Sequence, residues 1–241
     1  MKFQRAIIIG LIMVAIDLSG AWDLAQAQSG DASCMEDCRT FMPLVTDNYH
    51  PIFIFRDDFS EPSSGWPTVS DEFVAYGYYN NAHENDAYEM TIKQAGGVAG
   101  VFRDHEWPSD YSVTVSARVV SGSQFVYGLI FYTSDADDEI HLFLDDEGRY
   151  SIQRFTGGHY QILVNWQSNA AVRPAGESNE LSAKMLGDEY VVLINGVEVT
   201  RGEYVRSGET PGIGLILFSS ENFESPATVR FDDLTLRRIQ L

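Results

Sequence analysis

The sequence predicts an all-β fold, a two-sheet antiparallel sandwich of the jelly-roll type. Thirteen short runs rich in Val, Ile, Tyr and Phe recur between residues 73 and 236, and several alternate apolar and polar residues with period two. Turn residues separate these runs at intervals of about eight to twelve residues. No amphipathic stretch of helical period exceeds two turns. Many short strands without intervening helices are typical of a sandwich rather than of an α/β fold.

Residues 1–27 have the features of a secretory signal peptide. Lys2 and Arg5 precede an apolar run at 6–16, and residues 25–27, Ala-Gln-Ala, fit a small-x-small cleavage site. This run is shorter than the ~20 apolar residues that span a bilayer, and no later stretch approaches that length. We therefore expect a secreted protein, extracellular or periplasmic, with no membrane insertion after cleavage. A retained N-terminal anchor is the alternative.

Residues 28–53 are interpreted as a linker, and residues 54–241 as one domain. The linker begins with the small polar sequence QSGDAS and contains both cysteines of the chain, Cys34 and Cys38. Export permits a disulfide between them. The loop that it would close is short and would constrain little of the unfolded chain. We expect either this local disulfide or two free thiols.

The charge of the chain narrows the classes of partner. There are 35 acidic and 16 basic residues, a net charge of −19. The signal peptide contains two of each sign, so its removal leaves this value unchanged. A strongly acidic exported domain repels nucleic acid and anionic lipid. Glycans, cations and extracellular proteins remain as partners, although the charge also simply keeps a secreted domain soluble.

Turn residues separate the expected strands. Asp146-Glu147-Gly148 and Thr156-Gly157-Gly158 each join two runs, and Asn195-Gly196 is the strongest hairpin signal in the chain. The expected strands are 73–79, 88–92, 97–102, 111–120, 125–133, 139–145, 149–155, 160–166, 179–186, 189–194, 197–200, 212–218 and 227–236.

The order of these elements resembles the concanavalin A-like lectin/glucanase superfamily, which includes laminin-G-like modules. More narrowly, it is similar to small bacterial exported domains related to the 3-keto-disaccharide hydrolase group. The resemblance covers nearly all of residues 54–241 and implies a two-sheet jelly roll with a concave face where relatives hold sugars. It also implies that the last strand lies beside the first. The pieces that carry it are 57–66 (DDFSEPSSGW), 111–122, 127–132, 137–155, 163–166, 192–199 (VLINGVEV), 212–218 and 229–236 (VRFDDLTL).

Acid pairs on the first and last strands suggest a calcium site. Calcium takes six to eight oxygen ligands, and some members of the superfamily bind it on the convex side. Asp57, Asp58, Asp232 and Asp233 would converge if the two strands are neighbours. Alternation lets only one acid of each pair face a given side, so solvated edge charges are the alternative. Residues 135–139, DADDE, are interpreted as a solvated turn with weak cation affinity.

A sugar site is the second hypothesis, because sugars need aromatic platforms and planar polar side chains. In the runs 127–132, 140–144 and 150–155, alternation turns one set of apolar residues inward. If these strands are adjacent, the opposite set forms one mixed aromatic and polar patch, which Trp107 and Trp166 would flank. An ordinary, partly solvated sheet surface without a ligand is the alternative. The patch consists of Tyr132, His141, Phe143, Gln153 and Phe155.

The glucanases of this superfamily carry their catalytic acids as E-x-D-x-x-E on one strand. The nearest stretch here, 139–144, has His141 in place of the aspartate and Leu144 in place of the second glutamate. No G-x-S-x-G, H-E-x-x-H or phosphate loop is present in the sequence. We therefore predict a non-catalytic domain that recognises carbohydrate or another extracellular surface. An enzyme acting on a sugar derivative and a structural module without a small ligand are the alternatives.

Overall fold

The structure is a computed structural model, and it describes residues 52–80, 86–104, 108–134, 138–206, 212–220, 223 and 226–239. The predicted signal peptide, Cys34, Cys38 and Trp107 lie outside these residues. The division into signal peptide, linker and domain therefore stays a prediction. Within the described ranges, no helix is long and apolar enough to cross a membrane.

Strands dominate the described chain. Each of the thirteen predicted runs is a strand, and two further short strands precede them. In chain order the strands are β1 (Ile52–Asp57), β2 (Val69–Ser70), β3 (Val74–Tyr79), β4 (Ala87–Ile92), β5 (Val98–Asp104), β6 (Tyr111–Ser121), β7 (Phe125–Thr133), β8 (Asp138–Asp145), β9 (Arg149–Thr156), β10 (His159–Ser168), β11 (Ser178–Leu186), β12 (Glu189–Ile194), β13 (Val197–Glu203), β14 (Gly212–Ser219) and β15 (Ala227–Arg238).

These strands form two antiparallel sheets, which confirms the predicted two-sheet sandwich. The nine-stranded sheet has the order β13-β12-β11-β6-β15-β4-β3-β2, with β1 also paired to β15. The six-stranded sheet has the order β10-β9-β8-β7-β14-β5. Neighbours in space are often distant in sequence, as a jelly roll requires.

The core lies between the sheets and follows the period-two alternation. On β6, Val113, Val115 and Ala117 are fully buried, while the residues between them face outward. Leu129 and Leu142 meet them from the six-stranded sheet and are also fully buried. Burying one such Val or Leu side chain stabilises the fold by about 1.5–3 kcal/mol.

The predicted hairpin at Asn195-Gly196 is confirmed. Both residues have positive φ, 51° and 77°, as a type I′ turn requires. The Asn195 side chain also joins neighbouring segments. Its amide nitrogen donates to the Ala171 carbonyl at 2.7 Å, and its oxygen accepts from the Glu180 amide at 2.9 Å. This asparagine therefore sets the turn and holds the segments on either side of it.

The predicted pairing of the first and last strands is also confirmed, with Asp57 opposite Leu234 in the register. Asp57 is buried, and its carboxylate accepts hydrogen bonds from the Phe59 amide at 2.8 Å and from Trp66 Nε1 at 3.0 Å. The first of these bonds supports Phe59 at a positive φ of 55°. After the predicted turn at 62–65, the Trp66 ring packs on Phe59 and on Tyr88, at 5.7 Å from each.

Replacing Asp57 with Ala should lower the free energy of unfolding by about 2 kcal/mol or more, because two buried N–H donors lose their acceptor. Urea unfolding measures this loss. The matched control is Asp58→Ala, since Asp58 is exposed and accepts from the Ser60 amide and hydroxyl. The control should lose no more than about 1 kcal/mol. Equal losses would show that Asp57 does not anchor this corner.

Candidate functional site

The residues of the predicted sugar patch come from three adjacent strands of the six-stranded sheet, β7, β8 and β9. In the register, His141 lies between Ile130 and Gln153, and Phe143 lies opposite Ser151. The side chains of Ile130, His141, Phe143, Ser151 and Gln153 lie on the face of the sheet that points away from the core, which we call the outer face. The three strands are therefore adjacent, as the hypothesis of a single patch requires.

The outer face carries a hydrophobic cluster separate from the main core. Ile130 and Phe143 are fully buried, and Ile216 is 4% exposed. Further apolar side chains from β5, β7, β10 and β14 are partly buried against them. These are Phe102, Val126, Tyr160, Trp166 and Phe218.

Aromatic rings flank the centre of this face. Tyr160 packs on Phe155 at 4.9 Å and reaches His141 at 5.6 Å. Trp166 lies further along β10, where the Arg149 guanidinium is 5.9 Å from its ring. Asp145 holds that guanidinium with an ion pair of 2.7 Å. His141 and Gln153 therefore lie among aromatic rings that β9 and β10 supply.

His141 is 1% exposed and has one satisfied ring nitrogen. Nε2 lies 2.7 Å from Glu139 Oε2. Because a carboxylate accepts hydrogen bonds, Nε2 carries a proton, and whenever the ring is neutral Nδ1 is an acceptor. Nδ1 is buried and has no hydrogen-bond partner among the described residues. Buried polar atoms are rarely left unpaired, so this atom calls for a donor such as a water or a ligand hydroxyl.

Two neutral polar side chains lie beside the histidine. Gln153 is 3% exposed and donates through Nε2 to Ser151 Oγ at 3.1 Å. The Ser151 hydroxyl donates in turn to the Val164 carbonyl on β10 at 2.8 Å.

Tyr160 stays protonated at neutral pH. Burial raises the pKa of Tyr160, and the nearby charge of Glu139 raises it further.

The predicted outward orientation of Tyr132 is wrong. A β-bulge between Ile130 and Tyr132 places Ile130 opposite His141 but Tyr132 opposite Ile140. The extra residue shifts the alternation by one, so Tyr132 turns inward. It is 1% exposed and packs on Tyr204 with ring centroids 5.1 Å apart. The other predicted patch residues, His141, Phe143, Gln153, Phe155 and Trp166, lie on the outer face.

The interpretation of 135–139 as a solvated turn is wrong for its last two residues. Asp138 is 1% exposed and accepts from Arg154 Nε at 2.7 Å and Nη2 at 2.9 Å. The Tyr204 hydroxyl donates to the same carboxylate. Glu139, the next residue, pairs with His141. Residues 135–137 lie outside the described part of the chain.

The predicted calcium ligands are not brought together as four equal oxygen donors. Asp57 turns inward, Asp58 binds Ser60, and the Asp233 carboxylate pairs with Arg56 at 3.2 Å. Asp232 accepts from the Asp233 amide at 2.7 Å. Among the described residues, no group of three or more His, Cys, Asp or Glu side chains is placed to hold a metal ion. Calcium binding stays a prediction.

Sequence reasoning missed Glu139 and Tyr160 as members of the site. Glu139 lay in the stretch compared with the glucanase motif, two residues before His141, so period two places both on one face. Tyr160 follows the turn at 156–158 and pairs with Phe155 in the register. Symmetric pairing about that turn was the signal that could have identified it.

Comparison with known proteins shows the fold. No family model and no curated protein matches the chain. Among solved structures, the carbohydrate-binding module CBM66 from Bacillus subtilis is 13% identical, covering 72% of this chain and 95% of its own, with a TM-score of 0.51. The catalytic domain of an endo-1,3-β-glucanase (laminarinase) from Thermotoga petrophila RKU-1 is 9% identical, covering 80% of this chain and 100% of its own, with a TM-score of 0.54.

An alginate lyase of polysaccharide lyase family 7 is 11% identical, covering 68% of this chain and 84% of its own, with a TM-score of 0.53. Identities this low show the fold alone. They confirm the two-sheet jelly-roll fold. Binding and activity have to be argued from the residues of this chain.

Asp232→Asn should stabilise the chain at pH 7. Burial raises the pKa of Asp232, and the charges of Asp233, Asp58 and Asp86 add to this. A carboxyl whose folded pKa is raised destabilises the fold wherever it is ionised, so the gain should disappear as the pH falls through that pKa. Urea unfolding in EDTA at pH 7 and at pH 4 measures the difference.

The control is Asp71→Asn, which should destabilise at pH 7. Amide donors of Val74 and Phe73 lower the pKa of Asp71, so its ionised form stabilises the fold above that pKa. If both variants stabilised the fold at pH 7, or both destabilised it, the assigned directions of the two pKa shifts would be contradicted. Repeating the unfolding measurements with calcium in place of EDTA tests whether the chain binds this ion. A ligand at 100 times its Kd adds about 2.7 kcal/mol to the free energy of unfolding. Asp232→Asn should then reduce the gain from calcium.

Proposed function

We propose that this chain is an exported, non-catalytic domain that binds a carbohydrate on the outer face of its six-stranded sheet. The observation that carries the proposal is the buried Nδ1 of His141, which has no partner among the described residues. His141 lies opposite Gln153 in the register, and its ring meets the Tyr160 ring edge-on at 5.6 Å. A sugar hydroxyl is a donor of the right kind for this acceptor.

The composition of the face supports a sugar over other small ligands. Aromatic rings pack on the C–H faces of sugars, and planar amide and imidazole groups bind their hydroxyls. Phe155 and Trp166 are only partly buried and keep part of their rings accessible. The net charge of −19 favours a neutral glycan over a polyanion. The names of similar folds, a carbohydrate-binding module and a laminarinase, agree by analogy.

An enzyme acting on a sugar derivative is the second candidate, and the Glu139–His141 hydrogen bond of 2.7 Å favours it. A carboxylate that fixes the imidazole tautomer leaves the other ring nitrogen able to accept a proton, as in general-base catalysis. Against it stands the absence of the E-x-D-x-x-E array from the sequence. A purely structural role would account for buried Phe143 but not for the unpaired Nδ1.

Binding is tested by a glycan array on the purified chain, followed by calorimetry with the best ligand. Phe155→Ala and Trp166→Ala should each weaken binding about tenfold, the loss expected for one aromatic contact. Phe73→Ala is the matched control, because Phe73 is 44% exposed and lies next to β3 on the other sheet. An array without ligands, together with no thermal shift by sugars, would contradict the proposed function.

Catalysis is tested by incubating the chain with chromogenic glycosides and 3-keto glycosides. We expect no turnover by the native chain, because the face presents a base without the paired carboxyls of a glycosidase. Product formation that His141→Gln and Glu139→Gln both abolish would replace the binding proposal with an enzyme. The two variants keep side-chain volume, and circular dichroism checks that each remains folded.

A further inference from the structure

Three neighbouring strands, β5, β14 and β7, present an uncharged apolar surface on the outer face. In a chain with 21% charged residues, none of the nine central outward positions of these strands carries a charge. We call this surface the apolar half. It consists of Val98, Gly100, Phe102, Val126, Gly128, Ile130, Gly214, Ile216 and Phe218.

Of the three glycines in the apolar half, Gly100 alone has room for a side chain. At Gly128 and Gly214 an added Cβ would lie only 2.0 Å and 2.6 Å from backbone carbonyl oxygens of adjacent strands, so close packing explains these two glycines. Gly100 is different. An added Cβ there would meet nothing closer than the Phe102 ring at 3.5 Å, which is ordinary contact. Packing within the sheet does not require this glycine, and its missing side chain leaves space beside Phe102.

The surface around Gly100 is accessible, whereas Gly128, Ile130, Gly214 and Ile216 are buried. Val98 is 43% exposed, and Phe102 and Phe218 are only partly buried. A surface of this kind gains free energy when an apolar group covers it. Its lack of charge, on a chain of net charge −19, fits an uncharged group rather than a lipid phosphate or a charged peptide.

The apolar half continues into the proposed sugar site. His141 pairs in the register with Ile130, and the Phe143 ring packs edge-on against Phe218 at 5.3 Å. His141 is 1% exposed, and its Nδ1 has no partner among the described residues. This atom therefore lies at the border between the apolar half and the proposed sugar site. A hydroxyl is needed on one side of this border and an apolar group on the other.

We propose that the ligand is a glycoside with an uncharged apolar aglycone, with its sugar beside His141 and Gln153 and its aglycone over Gly100. This inference rests on the proposed carbohydrate function and names the ligand class of the same face. One molecule then supplies a donor to the open ring nitrogen and covers Val98 and the partly buried Phe102.

The test compares octyl and methyl β-glycosides of glucose, galactose, mannose and N-acetylglucosamine by calorimetry on the purified chain, below micelle-forming concentrations. For the sugar that binds, the octyl glycoside should bind about 100-fold more tightly than the methyl glycoside, the gain expected when about half of the chain is buried. Gly100→Leu should remove this gain and leave the affinity for the methyl glycoside unchanged. Val120→Leu, on the exposed outward side of β6, is the matched control and should change neither.

The outcomes separate this inference from the proposed function. Equal affinities for the octyl and methyl glycosides would overturn the inference and leave carbohydrate binding intact. Binding of octanol as tightly as octyl glycosides, with no binding of methyl glycosides, would overturn both. If Gly100→Leu lowers the unfolding midpoint, Gly100→Ala replaces it. Its single methyl makes only ordinary contacts and should reduce the octyl gain severalfold, and an unchanged gain would overturn the inference.

Discussion

The central strands of the six-stranded sheet, β8, β7 and β14, are buried on both of their faces, and much of the structure follows from this constraint. On β8, Leu142 packs into the core between the sheets, while Phe143 beside it packs into the cluster on the outer face. A strand buried on both sides cannot leave its polar side chains to water, so each needs a partner within the protein or from a ligand. The same burial brings backbone and rings so close that glycine is required at Gly128 and Gly214.

Two buried polar side chains of β8, Asp138 and His141, meet this constraint differently. Asp138 is fully partnered, because Arg154 and Tyr204 supply donors to both of its carboxylate oxygens. His141 is half partnered, with Glu139 on one nitrogen and no described partner on the other. A fully satisfied buried network rigidifies a fold, whereas one open acceptor can take a hydrogen bond from a ligand, as the proposed function requires.

Sequence reasoning recovered the parts of the site that depend on local rules. Period two placed His141, Phe143 and Gln153 on one face, and turn chemistry placed the hairpin at Asn195-Gly196. It failed for Tyr132, because one inserted residue in β7 reverses the alternation and leaves no mark in the hydrophobic pattern. It also failed for Asp138, because a buried acid is distinguishable from a solvated one only when its partners are known.

The sequence by itself determined the two-sheet fold and the turns, since these follow from alternation and turn residues. The resemblance to a known superfamily implied the pairing of the first and last strands. Only the tertiary structure decided which acids are buried, which face Tyr132 takes and which buried atom is left open. Arg154 and Tyr204 reach Asp138 from positions 16 and 66 residues away in sequence. Contacts at such separations depend on how strands from distant parts of the chain come together, and no local pattern encodes them.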